Sequence, residues 1–138
     1  MSDKVKYWLC ITDMVNWNII KEKNIYGVTD HHKKWIDKLR VGDKVVMYVI
    51  RKKIGGLFEV QNKPVTEKIN FEGGEYPNIV KLKKLIISKE FLEINNMIIS
   101  NLGLFKNKTH WGTTLMGRSI MEISKEDYGY IKSLMEKI

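Results

Sequence analysis

The chain has 138 residues, 43% of them hydrophobic, and a formal net charge of +8 from 24 basic and 16 acidic side chains. That length and apolar content point to one domain, spanning 1–138, with a single packed core rather than disorder, and the chain carries no internal repeat. No apolar run approaches the roughly 18 residues of a membrane span, and Tyr7–Thr12 is too short for a secretory h-region, so a cytoplasmic protein without a membrane partner is expected.

Cys10 stands alone, so no internal disulfide can form, and its neighbours Trp8, Leu9 and Ile11 suit a buried thiol. The positive balance draws a domain of this size toward polyanions. Against that, 21 of the 24 basic residues are Lys and Ala is absent, a bias that AT-rich coding alone would produce.

Tyr7–Thr12, rich in aromatic and β-branched residues, reads as a buried strand. Thr12 or Asp13 can cap the helix that follows, in which Val15 with Ile19 and Trp17 with Ile20 fall at helical spacing. Lys21 and Lys23 suit the end of that helix, and Asn24 its left-handed cap. Asn24-Ile25-Tyr26-Gly27-Val28 then reads as a turn, with an aromatic ring beside bare backbone where a flat ligand could stack. The plainer reading makes Tyr26 a core residue and Gly27 a loop end.

Thr29 and Asp30 are caps for a short helix with the stripe Trp35, Ile36 and Leu39. Lys44–Ile50 is apolar on both faces and marks a central strand, and the basic tip Arg51-Lys52-Lys53 leads into a partner strand at Leu57–Gln61. After an irregular connection around Pro64 and Gly73-Gly74, Ile79–Ile87 alternates as a strand. Ser88 is placed as the cap of a helix carrying Phe91, Leu92, Ile94 and Ile98. Phe105–Thr114 is a basic loop, Ser119–Ile123 a last strand, and Ser124 with Asp127 opens a final helix striped by Tyr128, Ile131, Leu134 and Met135.

Catalytic signatures are missing. His31 and His32 are adjacent, so on a helix they diverge by about 100°, and a lone Cys supplies no zinc set. There is no Gly-x-Ser-x-Gly elbow, and Gly55-Gly56 and Gly73-Gly74 fit neither phosphate-binding glycine pattern. What remains is a binding chemistry: rings at Tyr7, Trp8, Trp17, Tyr26, Trp35 and Tyr48 interleaved with basic loops, as in domains that stack bases and meet phosphates. Trp8, Trp17 and Trp35 also sit at core spacing, and Tyr48 suits either role.

In order along the chain, Tyr7–Thr12, Asn24–Val28, Val41–Val49, Phe105–Lys108 with Trp111, Leu115–Arg118 and Glu126–Tyr128 resemble the EVE domain family of the PUA-like superfamily, in its small stand-alone archaeal form. The resemblance covers nearly the whole chain. It implies an α+β, PUA-like fold: a curved, barrel-like mixed sheet surrounded by short helices. It also implies kinship with YTH domains, which hold a methylated base in an aromatic cage.

By that resemblance the domain binds RNA or DNA through a modified base without catalysis; no cofactor or metal is expected, and the oligomeric state is left open with a monomer favoured. Tyr26 falls where the family has a stacking Trp, and Thr12 and Gly27 on polar and backbone pocket positions, with Val28 beside them. Trp8, His32 and Tyr48 would line or support the pocket, and Met116 and Arg118 would approach its mouth. Arg51, Lys52, Lys53, Lys106 and Lys108 are the cations for the phosphate backbone. Tyr in place of Trp gives a smaller face and adds a hydroxyl, and the second YTH tryptophan has no counterpart. Two other readings stand beside this one: a small enzyme using His32, Asp30 and Thr12 on a nucleotide in the same cleft, and a protein-interaction module.

Overall fold

The structure, a computed structural model, describes residues 5–66, 70–71, 74–95, 98, 101–102 and 120–137. Its elements in chain order are β1 (Tyr7–Thr12), α1 (Met14–Lys23), β2 (Ile25–Val28), a 3-10 turn (Asp30–His32), α2 (Lys33–Ile36), β3 (Lys44–Val49), β4 (Lys53–Val60), β5 (Val65–Thr66), β6 (Asn70–Phe71), β7 (Gly74–Glu75), β8 (Asn78–Glu93), β9 (Ile120–Ile123) and α3 (Lys125–Met135).

A mixed sheet runs in the order β2-β8-β4-β3-β1-β9, with β5 also paired to β8. The β1–β3 pair is parallel and the other pairs are antiparallel. The register slips once along β3–β4 and twice along β4–β8, and such irregularities bend a sheet. The sixteen-residue β8 thereby serves β2 and β5 with its first part and β4 with the remainder.

The sheet divides the core in two. Trp8 and Cys10 of β1, Val45, Met47 and Val49 of β3, and Phe58 and Val60 of β4 join Trp17, Ile20, Tyr26 and Ile36 on one face. Leu9, Val46, Tyr48, Ile54 and Leu57 join Met121, Ile123, Tyr128 and Ile131 on the other. Strand alternation sorts these residues, because successive side chains point to opposite faces. Gly55 leaves room for the Trp17 indole, since a Cβ there would lie 2.5 Å from it.

Local chemistry sets the helix ends. The Asp13 carboxylate accepts from the Asn16 amide at 2.8 Å at the start of α1, and Asn24 adopts φ 57° at its close. Ser124 Oγ accepts from the Asp127 amide at 3.0 Å at the start of α3. These are the caps expected from the sequence.

Three expectations are corrected. Asn24–Val28 is not a turn: Ile25–Val28 is strand β2, paired residue for residue with Asn78–Lys81. Ser88 opens no helix, since β8 continues through it to Glu93, and the pairing of Ile54 with Leu92 and of Lys53 with Glu93 overrides the helical spacing. The strand after the basic tip begins at Lys53 rather than Leu57, which leaves a connection of Ile50–Lys52. Of the residues at helical spacing in α1, Val15 is 52% exposed, whereas Trp17 and Ile20 are buried. Phe105–Thr114 lies outside the described residues.

Candidate nucleic-acid interface

The last residue of β1, the first turn of α1, strand β2 and the 3-10 turn meet around a cavity of about 290 Å³. Its lining combines Thr12, Asp13 and Asn16 with Tyr26, Gly27 and Val28, then Thr29, His32, Ile50 and Tyr76, over a floor that includes Ile11 and Ile20. Four hydrogen bonds fix this geometry. Tyr26 Oη donates to the Ile11 carbonyl at 2.8 Å and ties β2 to β1. The Ile50 amide donates to the Thr12 carbonyl at 2.9 Å and holds the basic hairpin tip beside the cavity. Asn78 Nδ2 donates to the Val28 carbonyl at 3.3 Å and to Asp30 Oδ1 at 2.9 Å, which anchors the turn that carries His32.

The lining is polar but not strongly charged. Partial burial, with the neighbouring His31 as a smaller cause, holds the His32 imidazole below its ordinary pKa, so at neutral pH it carries one donor and one acceptor. Burial likewise raises the Tyr26 phenol well above its usual value and keeps its proton on the bond to Ile11. Burial also pushes the Cys10 thiol far up, so it is a packing group and not a thiolate nucleophile. Among the described residues, no three His, Cys, Asp or Glu side chains converge as metal ligands would.

Five of the residues singled out in the sequence converge here: Thr12, Tyr26, Gly27, Val28 and His32. The Tyr26 ring itself is only 2% exposed, so it is a wall of the cavity, as the core reading had it, and not the open stacking platform that the family resemblance implied. Its hydroxyl bond to β1 and its pairing across to β8 account for that enclosure.

Two residues are elsewhere. Trp8 shares the β1 face with Thr12 but stands four residues earlier, about 13 Å along an extended strand. Its indole N–H is engaged by Asp43 at 2.9 Å. Tyr48 points to the opposite face, where its hydroxyl accepts from the Lys52 amide at 2.9 Å. Of the cations expected to meet the phosphate backbone, Arg51 and Lys52 are exposed next to Ile50 at the rim, and Lys53 lies with its ammonium 5.4 Å from the Phe91 ring centre. Met116, Arg118, Lys106 and Lys108 lie outside the described residues.

Sequence reasoning missed Asp13, Asn16 and Tyr76 as lining residues. Asp13 was legible as a helix cap, and Asn16, three residues on, turns to the same side of α1. Tyr76 sits in an irregular stretch next to Pro77 that carries no periodic signal.

The sequence model of the EVE domain matches residues 6–134. The chain belongs to the EVE domain family. It is 35% identical to the UPF0310 protein of Pyrococcus abyssi over 145 residues, covering 95% of this chain and all of that one. This EVE domain is also similar in fold to human THYN1, whose structure was solved with DNA containing 5-methylcytosine (TM-score 0.63, 15% identity, 96% of this chain and 99% of that chain). The Mmi1 YTH domain, solved in complex with RNA, superposes with a TM-score of 0.69 at 14% identity, over 97% of this chain and 79% of that chain. The mixed sheet and short helices of this EVE domain are thus the PUA-like fold that the sequence resemblance implied.

Proposed function

We propose that this EVE domain is a non-catalytic reader of nucleic acid that accepts one modified base in the cavity between β1, α1 and β2. The observation that carries this reading is the composition of that cavity. Two tyrosine rings, Tyr26 and Tyr76, stand with bare backbone at Gly27 and with neutral hydrogen-bonding groups at Thr12 and His32 around one concavity. A flat heterocycle needs that set: apolar surface for its faces, and donors and acceptors for its edge. Tyr76 is the candidate for the second aromatic wall.

Burying a base methyl against such a surface contributes on the order of 1 kcal/mol, and a mismatched edge leaves a buried polar group unpaired, which sharpens the choice. Arg51 and Lys52, exposed at the rim, supply the phosphate contacts, assisted by the overall charge of +8. The methylcytosine DNA in the THYN1 structure and the RNA in the Mmi1 structure support the same class of ligand for this fold.

The test is fluorescence anisotropy with methylated and unmethylated RNA and DNA oligonucleotides across a salt series. The reading predicts preference for a modified base, binding that falls steeply with salt, and loss of the preference in Thr12→Val and His32→Ala. Equal affinity for all bases in the wild type overturns it. Mass analysis of the incubated nucleosides decides between reading and turnover, and any product sinks the non-catalytic assignment.

A further inference from the structure

We infer that the groove beside α2 is a second nucleotide subsite, where Trp35 stacks a base flanking the one in the cavity. This rests on the base-binding role proposed above. The groove encloses about 440 Å³ between Lys6, Trp8, Trp35, Lys38 and Arg40, with Asp37 and Glu122 as its acidic members. Trp8 is 1% exposed and its indole N–H is committed to Asp43, so it is a wall. Trp35 differs: it packs on the core yet is only half-buried.

Lys38 Nζ lies 4.4 Å and Lys34 Nζ 5.6 Å from the Trp35 ring centres, so cations already occupy the solvent side of the indole. An exposed cation–ring contact is weaker than the stacking of a base on a tryptophan, so a base displaces the Lys38 ammonium. The freed ammonium, on its flexible stem, stays within reach of that nucleotide's phosphate. Asp37 offers little opposition because its carboxylate is bound by Lys33 at 2.7 Å. Glu122 then adds one negative charge against Lys6, Lys38 and Arg40.

The placement links the two concavities. His32 lines the cavity and Trp35 lines the groove. They stand three residues apart along the start of α2, about 5 Å of rise. Lys33 and Lys34, between them in sequence, are both exposed. A single strand with one base in the cavity runs past this segment, with the exposed Lys34 within reach of its phosphates, and delivers a later base toward Trp35.

The decisive experiment measures Kd at fixed ionic strength for a methylated mononucleotide and for a pentanucleotide with the same base at its centre. Wild type is compared with Trp35→Ala and Lys38→Glu, and folding is checked by circular dichroism. Lys38 is exposed, so its variant tests the groove even if Trp35→Ala disturbs the core. In the wild type the pentanucleotide should bind on the order of tenfold tighter. Trp35→Ala should remove most of that gain and Lys38→Glu part of it, with mononucleotide affinity unchanged in both. A pentanucleotide that gains nothing in the wild type, or keeps its full gain in both variants, overturns the subsite. Absent mononucleotide binding together with a Trp35-dependent pentanucleotide gain would instead sink the cavity reading and support the groove.

Discussion

Each face of the sheet encloses a tyrosine that bonds to backbone, yet the two surroundings are opposites. Tyr26 donates to the Ile11 carbonyl beside a cavity of about 290 Å³ lined by Thr12, Asp13, Asn16 and His32. Tyr48 accepts from the Lys52 amide beside a void of only about 10 Å³, walled by Leu9, Ile54, Ile94, Leu102, Ile123 and Ile131 with Asp127 at its margin. The difference comes from what covers each face. The amphipathic α3 lays Tyr128, Ile131 and Met135 over the Tyr48 side and fills it. On the Tyr26 side, α1 packs Trp17 and Ile20 inward but leaves polar residues at its N-terminal turn over the end of β1. One face is a structural core, and the other is a core with an opening.

The largest effect that separates the faces should come from Ile131→Ala. Ile131 is 3% exposed in the filled cluster, so truncation should lower unfolding stability by about 2–5 kcal/mol in urea titrations. Base binding by the folded fraction should not change. Gly55→Ala should follow, because its Cβ would press the Trp17 ring that packs at 6.0 Å on Phe58. A loss of about 1–3 kcal/mol is expected from that overpacking, read by the same titration. An unchanged midpoint would show that the indole yields freely.

Tyr26→Phe is a smaller and sharper probe. It leaves the ring in place and removes the hydroxyl that donates to the Ile11 carbonyl, so a loss of about 1–2 kcal/mol is expected. Tyr26→Ala, the obvious test from the sequence, confounds stability with binding because the ring is 2% exposed. The smallest effect concerns acid. Since the folded His32 titrates below 6.5, the unfolded chain binds this proton first as pH falls. The histidine's contribution is therefore complete above about 6.5 and declines through the folded pKa in acid. A two-dimensional NMR titration should place the His32 inflection below 6.5. A midpoint at or above that value would contradict the partly buried, neutral imidazole.

Much of the frame was legible because local rules coincide with tertiary ones. Asn24, Ser124 with Asp127, and the stripe through Tyr128 and Ile131 each announce a helix end or face that packing then respects. Tyr48 was ambiguous for a physical reason: a strand apolar on both sides gives no sign of which side will be sealed. Phe91 and Leu92 fit a helical spacing, but ladder pairing with β4 decided their conformation, and no local pattern reports a distant partner. At the site, Thr12, Tyr26, Gly27, Val28 and His32 come from two nearby segments and could be grouped in advance. Tyr76 arrives from fifty residues beyond Tyr26 through the β2–β8 pairing, which only the fold supplies.

The most direct test of the account is an NMR titration of the 15N-labelled domain with a panel of methylated and unmethylated nucleosides. Shifts should cluster on the amides of Thr12, Asn16, Gly27, Val28 and His32, be larger for a modified base, and leave Leu9, Ile54 and Ile131 unmoved. No response from the first group with any nucleoside, or a response centred on the second, would contradict it.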